Sequence, residues 1–235
     1  MNLLTLSCRG IEPDIIIPET GFFTLSIENK NFLFEILREL RNQIDCGKEG
    51  RFNISLSGRV LNIEKSVSAI FDFTNIDFNS KAITNLLVKK FSEFLSLGEQ
   101  AETLINLESI ILNLAENFRI KSGLNVEYDA AVNNNNLAKI CSLTIADNNS
   151  GLLEKLCEYV NLLCDLKPLK LFVLIFGKSF LTESDMRIFY QYCNDKHVRL
   201  LIIEGYDIAD IQSNERRLII DKDLCGIAQG YNEFE

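Results

Sequence analysis

The sequence predicts an α/β fold with a parallel or mixed sheet and an inserted helical arm, and three observations carry that expectation. The first is a pair of near-continuous apolar runs, residues 169–176 and 198–204, flanking a segment in which Met186, Phe189 and Cys193 recur at spacings of three and four. Runs of this length suit strands covered on both faces, and an amphipathic helix between them makes a parallel βαβ crossover. The second is a strand, short turn and helix over residues 22–43. The third is a change of character near residue 79, after which the chain reads as helix for some seventy residues.

Taken in order, residues 3–6 and 14–17 read as a hairpin leading into a third strand at 22–27, with Gly10, Pro13, Pro18 and Gly21 as punctuation. Asn29 caps a helix over 31–43 that places Leu33, Ile36, Leu37, Leu40 and Ile44 on one face. In a nucleotide-binding α/β protein the turn between such a strand and helix cradles phosphate. Here it reads Glu28-Asn29-Lys30, with no glycine for close backbone approach and an acid in the anion's place.

Residues 52–56, 60–63 and 67–73 continue the β pattern, with Gly58 as a turn. A helix then starts at Ser80, with Ile83, Leu87, Phe91 and Phe94 inward, and ends at Gly98. The next, 99–122, sets Leu104, Leu107, Ile111, Leu114 and Phe118 in a packing seam and stops at Gly123. Residues 133–136 open a short helix through Leu137, Ile140 and Cys141. Ser150 starts another, carrying Leu153, Leu156, Val160 and Leu163 and ending before Pro168. Thr182 with Asp185 is the start signal of the crossover helix. A last strand covers 217–220, residues 221–224 close the sheet, and the polar tail is expected to be loose. The α/β head is thus 1–73 with 149–235, and the inserted helical part is 74–148.

With 235 residues, 47% of them hydrophobic and 24% charged, the chain reads as a soluble globular protein. No apolar run approaches membrane-spanning length and the start lacks a basic leader, so the expectation is a cytoplasmic protein with no membrane partner. The seven cysteines never occur as Cys-x-x-Cys, and Cys157, Cys164 and Cys193 fall on apolar stripes, as small core residues in a reducing compartment do. The single histidine, His197, gives histidine-based catalysis little material. A net charge of −9 argues, by itself, against a nucleic-acid partner.

Two motifs invite chemistry. Gly177-Lys178-Ser179 follows a strand and precedes, one crossover later, an apolar run ending in Glu204, which imitates part of a phosphate-binding site. Phe172 stands where the full motif needs its first glycine, so no nest of amides surrounds Lys178. The second is Asn125-Val126-Glu127-Tyr128-Asp129. If extended, it sets Glu127 and Asp129 on one face, and with Asn125 and the amides at 133–136 it offers hard oxygen ligands to calcium or magnesium, or simply a solvated acidic loop. The bases of the arm, Lys81, Lys89, Lys90, Arg119, Lys121 and Lys139, are six against nine acids over residues 74–148, so only folding or assembly could gather them into a positive surface. Arg59 in the preceding β region is in the same position.

Several stretches together resemble one family: 169–176 with Ser179-Phe180-Leu181-Thr182-Glu183, the strand end Ile202-Ile203-Glu204, the stretch Leu218-Ile219-Ile220-Asp221-Lys222-Asp223, and Leu124 to Asp129 after the long helix. They are similar to the CRISPR-associated type II-A adaptation proteins, the Csn-two family. The resemblance implies a P-loop-NTPase-like head without a working nucleotide site, an inserted α-helical leg, and a non-enzymatic, ring-shaped homotetramer that takes double-stranded DNA ends, independent of sequence, through a positively lined hole. It implies calcium (Ca2+) as the stabilising ion, with Glu127, Asp129 and Asn125 as ligands, and a role in spacer acquisition beside the CRISPR integrase and the RNA-guided effector nuclease. Lys139, Lys89, Lys90, Arg59 and Lys121 are the candidate DNA contacts. Two other classes remain open: a degenerate P-loop-like ATPase acting through Lys178 and Glu204, and an assembly scaffold that binds no DNA.

Overall fold

In the computed structural model, residues 3–128, 133–146, 151–207 and 214–229 are described. The chain divides into two compact units, Met1–Asp77 with Asn148–Glu235, and Phe78–Asp147, where the sequence places boundaries at 73/74 and 148/149.

The first unit holds two sheets. Strands β1 (Leu4–Cys8), β2 (Ile11–Ile17), β4 (Phe52–Leu56) and β5 (Arg59–Leu61) form an antiparallel sheet in the order β2-β1-β4-β5. Strands β3 (Phe22–Ile27), β6 (Val67–Ile70), β7 (Leu171–Ile175), β8 (Arg199–Glu204), β9 (Glu215–Ile220) and β10 (Gly226–Gln229) form the other, in the order β10-β9-β3-β8-β7-β6. All of its pairings are parallel except β10 on β9. The strand that opens this sheet in the chain, β3, thus lies between two of the last, β8 and β9.

Helix α1 (Lys30–Cys46) buries Ile36 and Leu40 in a core shared with Phe23, Leu25 and Ile27 of β3, Val173 of β7, Leu201 of β8, Leu218 of β9 and the inner residues of the antiparallel sheet. These are alternate residues of each strand, hence one face of the sheet. The opposite face carries Phe22, whose ring lies 5.7 Å from that of Tyr190, and Phe172, whose ring lies 6.0 Å from that of Phe189. Tyr190 and Phe189 belong to α7 (Glu183–Asp195), so the helix after β3 and the helix after β7 cover different faces. β3 is therefore a topological switch point, and the crevice beyond its carboxyl end is where an open α/β sheet binds ligands. Helix α6 (Leu152–Leu166) buries Leu156, Val160 and Leu163; Ser150, the expected start, lies outside the described residues.

Several expectations change. Residues 63–66 form a one-turn helix, α2 (Ile63–Ser66), because the Asn62 side chain accepts the Lys65 N–H and closes a turn before β6. β9 starts two residues earlier than its apolar pattern because Glu215 and Arg217 are buried as partners, and β10 extends the sheet where a loose tail was expected. Of the cysteines on apolar stripes, Cys193 is buried while Cys157 and Cys164 are half-buried; Cys46, Cys141 and Cys225 are exposed.

The second unit contains α3 (Lys81–Leu95), capped by Ser80, α4 (Ala101–Ser122) and α5 (Asn134–Ile140). α4 ends at Gly123 in the left-handed conformation, as the sequence indicates. Its predicted packing seam is only partly covered: no described α4 residue is fully buried, Leu104 and Leu107 are half-buried, and Leu114 and Phe118 are 66% and 57% exposed. Among the described side chains of α5, Ala138 is buried and Leu137 half-buried, whereas Ile140 is exposed, as is Cys141 just after the helix.

Candidate functional site

The switch-point crevice is filled from within. The Asn29 side-chain oxygen accepts the Phe32 N–H at 3.1 Å, so the anion-attracting end of α1 is capped by its own sequence. The Asn29 amide donates to the Lys222 carbonyl at 3.0 Å, and the Glu28 N–H donates to the Ile220 carbonyl at 2.9 Å, which brings the β9–β10 turn against the same spot. At the end of β8, a Cβ added to Gly205 would lie 3.2 Å from Leu33 and 3.4 Å from the Phe176 ring. A side chain there would have to move Leu33 by a few tenths of an ångström, so glycine suits the position. Phe176 itself takes the left-handed conformation, φ 60°, which is strained for a residue with a Cβ and costs about 1–2 kcal/mol. Its N–H donates to the Ile203 carbonyl at 2.8 Å.

The face opposite α1 carries a buried polar strip. Lys178, in the turn after β7, donates from Nζ to Glu215 at 2.5 Å, and Arg217 reaches the same carboxyl oxygen at 3.1 Å and Asp207 at 2.7 Å. The Lys178 main-chain N–H donates to Glu204 Oε1 at 2.9 Å. Glu204 is fully buried, and its Oε2 has no hydrogen-bond partner among the described residues. Burial pulls the Lys178 ammonium below its ordinary range despite Glu215, and pushes the Glu204 carboxyl up. Burial also acts upward on Glu215, but the bond and charge of Lys178 and the charge of Arg217 outweigh it and hold that carboxyl low. The Lys178 ammonium is thus engaged by Glu215, and its main-chain N–H by Glu204. The charged run Glu215-Arg216-Arg217 leading directly into Leu218-Ile219-Ile220 was the signal for this cluster.

In the helical unit, Glu116 on α4 accepts two bonds from Arg119, at 2.7 and 2.8 Å, and one from the Tyr128 hydroxyl at 2.6 Å. The Arg119 and Tyr128 bonds bring the Glu116 carboxyl down to about 2. Tyr128 thereby ties the segment after α4 back onto the helix, and Glu127 and Asn125 in that segment are exposed. Asp129 lies outside the described residues. Among those described, no three acidic, histidine or cysteine side chains converge as a metal cage.

Of the basic candidates, Lys89 and Lys139 come together. They line one groove of about 620 Å³ between α3 and α5 with Asn85, Ser92, Glu93 and Ser96. Lys89 lies 3.8 Å from Glu93, and both side chains are open to water, so the pair is weak. Asn134 donates to Ser96 at 3.1 Å and fixes α5 against α3. Lys90 and Lys121 are exposed on α3 and α4; Arg59 is exposed on β5, in the other unit.

Fold and site define a class: a mixed α/β protein with a switch-point sheet whose ligand crevice is occupied by its own side chains, and with a separate helical unit. The family model described as CRISPR-associated protein (Cas_Csn2) matches residues 43–224, most of the chain, and the chain belongs to that family. No curated protein matches it. Among solved structures, a putative ABC transporter ATP-binding protein from Pyrococcus furiosus is 8% identical, with 92% of this chain and 96% of that chain covered at a TM-score of 0.37. No helix among the described residues is long and apolar enough to cross a membrane.

Proposed function

We propose that this chain is a non-enzymatic, calcium-dependent, ring-forming protein that binds double-stranded DNA ends during type II-A spacer acquisition, on a P-loop-like head that no longer takes nucleotide. The family supports the CRISPR role. The observation that carries the rest is α4: twenty-two residues with no buried side chain and with Ile105, Ile110, Leu114, Phe118 and Ile120 exposed. An isolated chain does not leave so long an apolar helix in water without a partner to cover it. Ring assembly would also gather bases that are scattered in one chain, and the groove already holding Lys89 and Lys139 supplies the start of a phosphate track. Contacts of that kind are made to the backbone, are independent of sequence and weaken steeply with salt. Integrase and RNA-guided nuclease would meet the ring as partners in the same step.

The test is native mass spectrometry with calcium and after chelation, paired with binding to linear and to closed circular duplex. A calcium-dependent tetramer that retains linear duplex only is the expected result. Assembly without DNA binding would leave the scaffold reading, for which α4 suffices. Glu127→Gln with Asp129→Asn is expected to abolish the calcium effect on mass, and Lys89→Ala with Lys139→Ala to weaken DNA retention while leaving the tetramer intact.

A further inference from the structure

The solvent face of α1 matches itself when turned end for end. Along it stand Lys30, Phe34, Arg38, Arg41 and Asp45, at spacings of three and four residues and hence on one stripe. All are exposed, the Phe34 ring by 62%. Arg38 is paired with Glu35 on the flank of the stripe and lies 5.7 Å from the centre of the Phe34 ring. Arg41 lies 4.2 Å from the centre of the Phe71 ring, which steadies its guanidinium. None of the salt bridges among the described residues engages Lys30, Arg41 or Asp45. The stripe thus runs base, ring, base, base, acid. In a second copy laid antiparallel upon it, Lys30 falls opposite Asp45 and Phe34 opposite Arg41, each match occurring twice. Only Arg38, beside the axis, meets its own kind, and Glu35 offsets that charge.

We propose that this stripe is a contact between copies of the chain, with α1 packed antiparallel on α1 of a second copy about a two-fold axis near Arg38. A two-fold contact uses the same patch on both partners and therefore has to be complementary to itself. That property selects a second copy as the occupant: a uniformly acidic partner would be repelled at Asp45, and a basic one at Lys30 and Arg41. The inference rests on the ring reading above and adds a contact to it. A tetramer built as a pair of dimers uses two different self-complementary faces, and α4 supplies one. A single helix face is smaller than the roughly 800 Å² per partner of a stable interface, so the α1 contact holds within a closed ring, where the other face keeps the copies at hand.

Within one chain Lys30 and Asp45 are fifteen residues apart on the helix, roughly 22 Å, so exchanging their charges reads a contact between copies. Lys30→Asp puts an acid in the first turn and Asp45→Lys a base in the last, and both suit the helix dipole, so α1 survives them. By native mass spectrometry with calcium, each single variant is expected to raise about tenfold the concentration at which the tetramer half splits into dimers, because like charges then face each other twice. The double variant is expected to return close to the natural chain. Single variants that split as the natural chain does, or a double variant no better than the singles, overturn the proposal. A second measurement separates it from the ring reading: Arg38→Cys in the full chain, treated with a short bismaleimide and digested. A cross-link joining the two introduced thiols supports the α1 contact even where the natural chain stops at a dimer. Its absence overturns the contact whether or not a tetramer forms.

Discussion

The two units treat apolar surface in opposite ways. Around β3 the strand ends are occupied from within: Asn29 caps α1, Leu33 and Phe176 both crowd Gly205, and Lys178 is paired with Glu215. On α4, no described residue is fully buried, and Leu114 and Phe118 of its apolar seam stand exposed. The first region is finished by its own sequence and offers little to a small molecule. The second leaves large apolar side chains exposed, which is why the proposed activity is one of assembly and not of turnover.

Deleting the same ring in each region should separate them most sharply. Phe172 is fully buried between the rings of Tyr159 and Phe189, and Phe172→Ala is expected to cost about 3–5 kcal/mol by urea unfolding. Phe118→Ala on α4 should move the same midpoint by less than about 0.5 kcal/mol, as at an ordinary surface site, while shifting the native mass toward monomer. Equal costs would mean that α4 is packed in solution as the head is.

Next in size is Lys178→Met. It strips one cation from the buried strip and leaves Glu215 to Arg217 alone, and breaking a buried pair on one side costs about 3 kcal/mol. Were Lys178 a phosphate ligand instead, the variant would fold normally and lose nucleotide binding, so the two measurements oppose each other.

The sequence carried the central crossover well because strands and amphipathic helices announce themselves locally. Thr182 and Asp185 do form a capping box, and β3, β4 and the end of α4 fall where their patterns and glycines place them. The missing phosphate cradle was equally legible, since it needs glycines at set spacings in the turn and Glu28-Asn29-Lys30 has none. What fills the crevice was not. Leu33, Phe176 and Gly205 are far apart in sequence, and Lys178 meets its acid thirty-seven residues downstream. β10 escaped because Gly-Ile-Ala-Gln has no alternation to show, and pairing with β9 alone makes it a strand. The basic candidates were legible as charges, but only the packing of α5 on α3 puts Lys89 and Lys139 on one groove.

A smaller test probes how the head closes itself at α1. Asn29→Ala removes a cap and is expected to cost about 1 kcal/mol. It also frees the amide that holds the Lys222 carbonyl, so amide exchange should quicken at Phe32 and in the 221–225 turn together. Phosphate added to this variant should leave the exchange unchanged if Leu33 and Phe176 are the true occupants of the crevice. Protection restored by phosphate would mean that the asparagine alone kept an anion site shut.

The mildest effect belongs to the helical unit, at Glu116. Its depressed carboxyl means that the bonds from Arg119 and Tyr128 are fully present above the ordinary glutamate value near 4.5 and are lost only as pH falls toward about 2. Because the cluster is exposed, the global melting temperature should barely respond, and the readout is the Tyr128 ring signal by NMR, released along that acid limb. Glu116→Gln should release it at every pH. Since Tyr128 is the neighbour of Glu127, the same variant should weaken the calcium effect on assembly without removing a proposed ligand. A calcium response that ignores Glu116 would place the ion elsewhere and separate the tether from the proposed metal site.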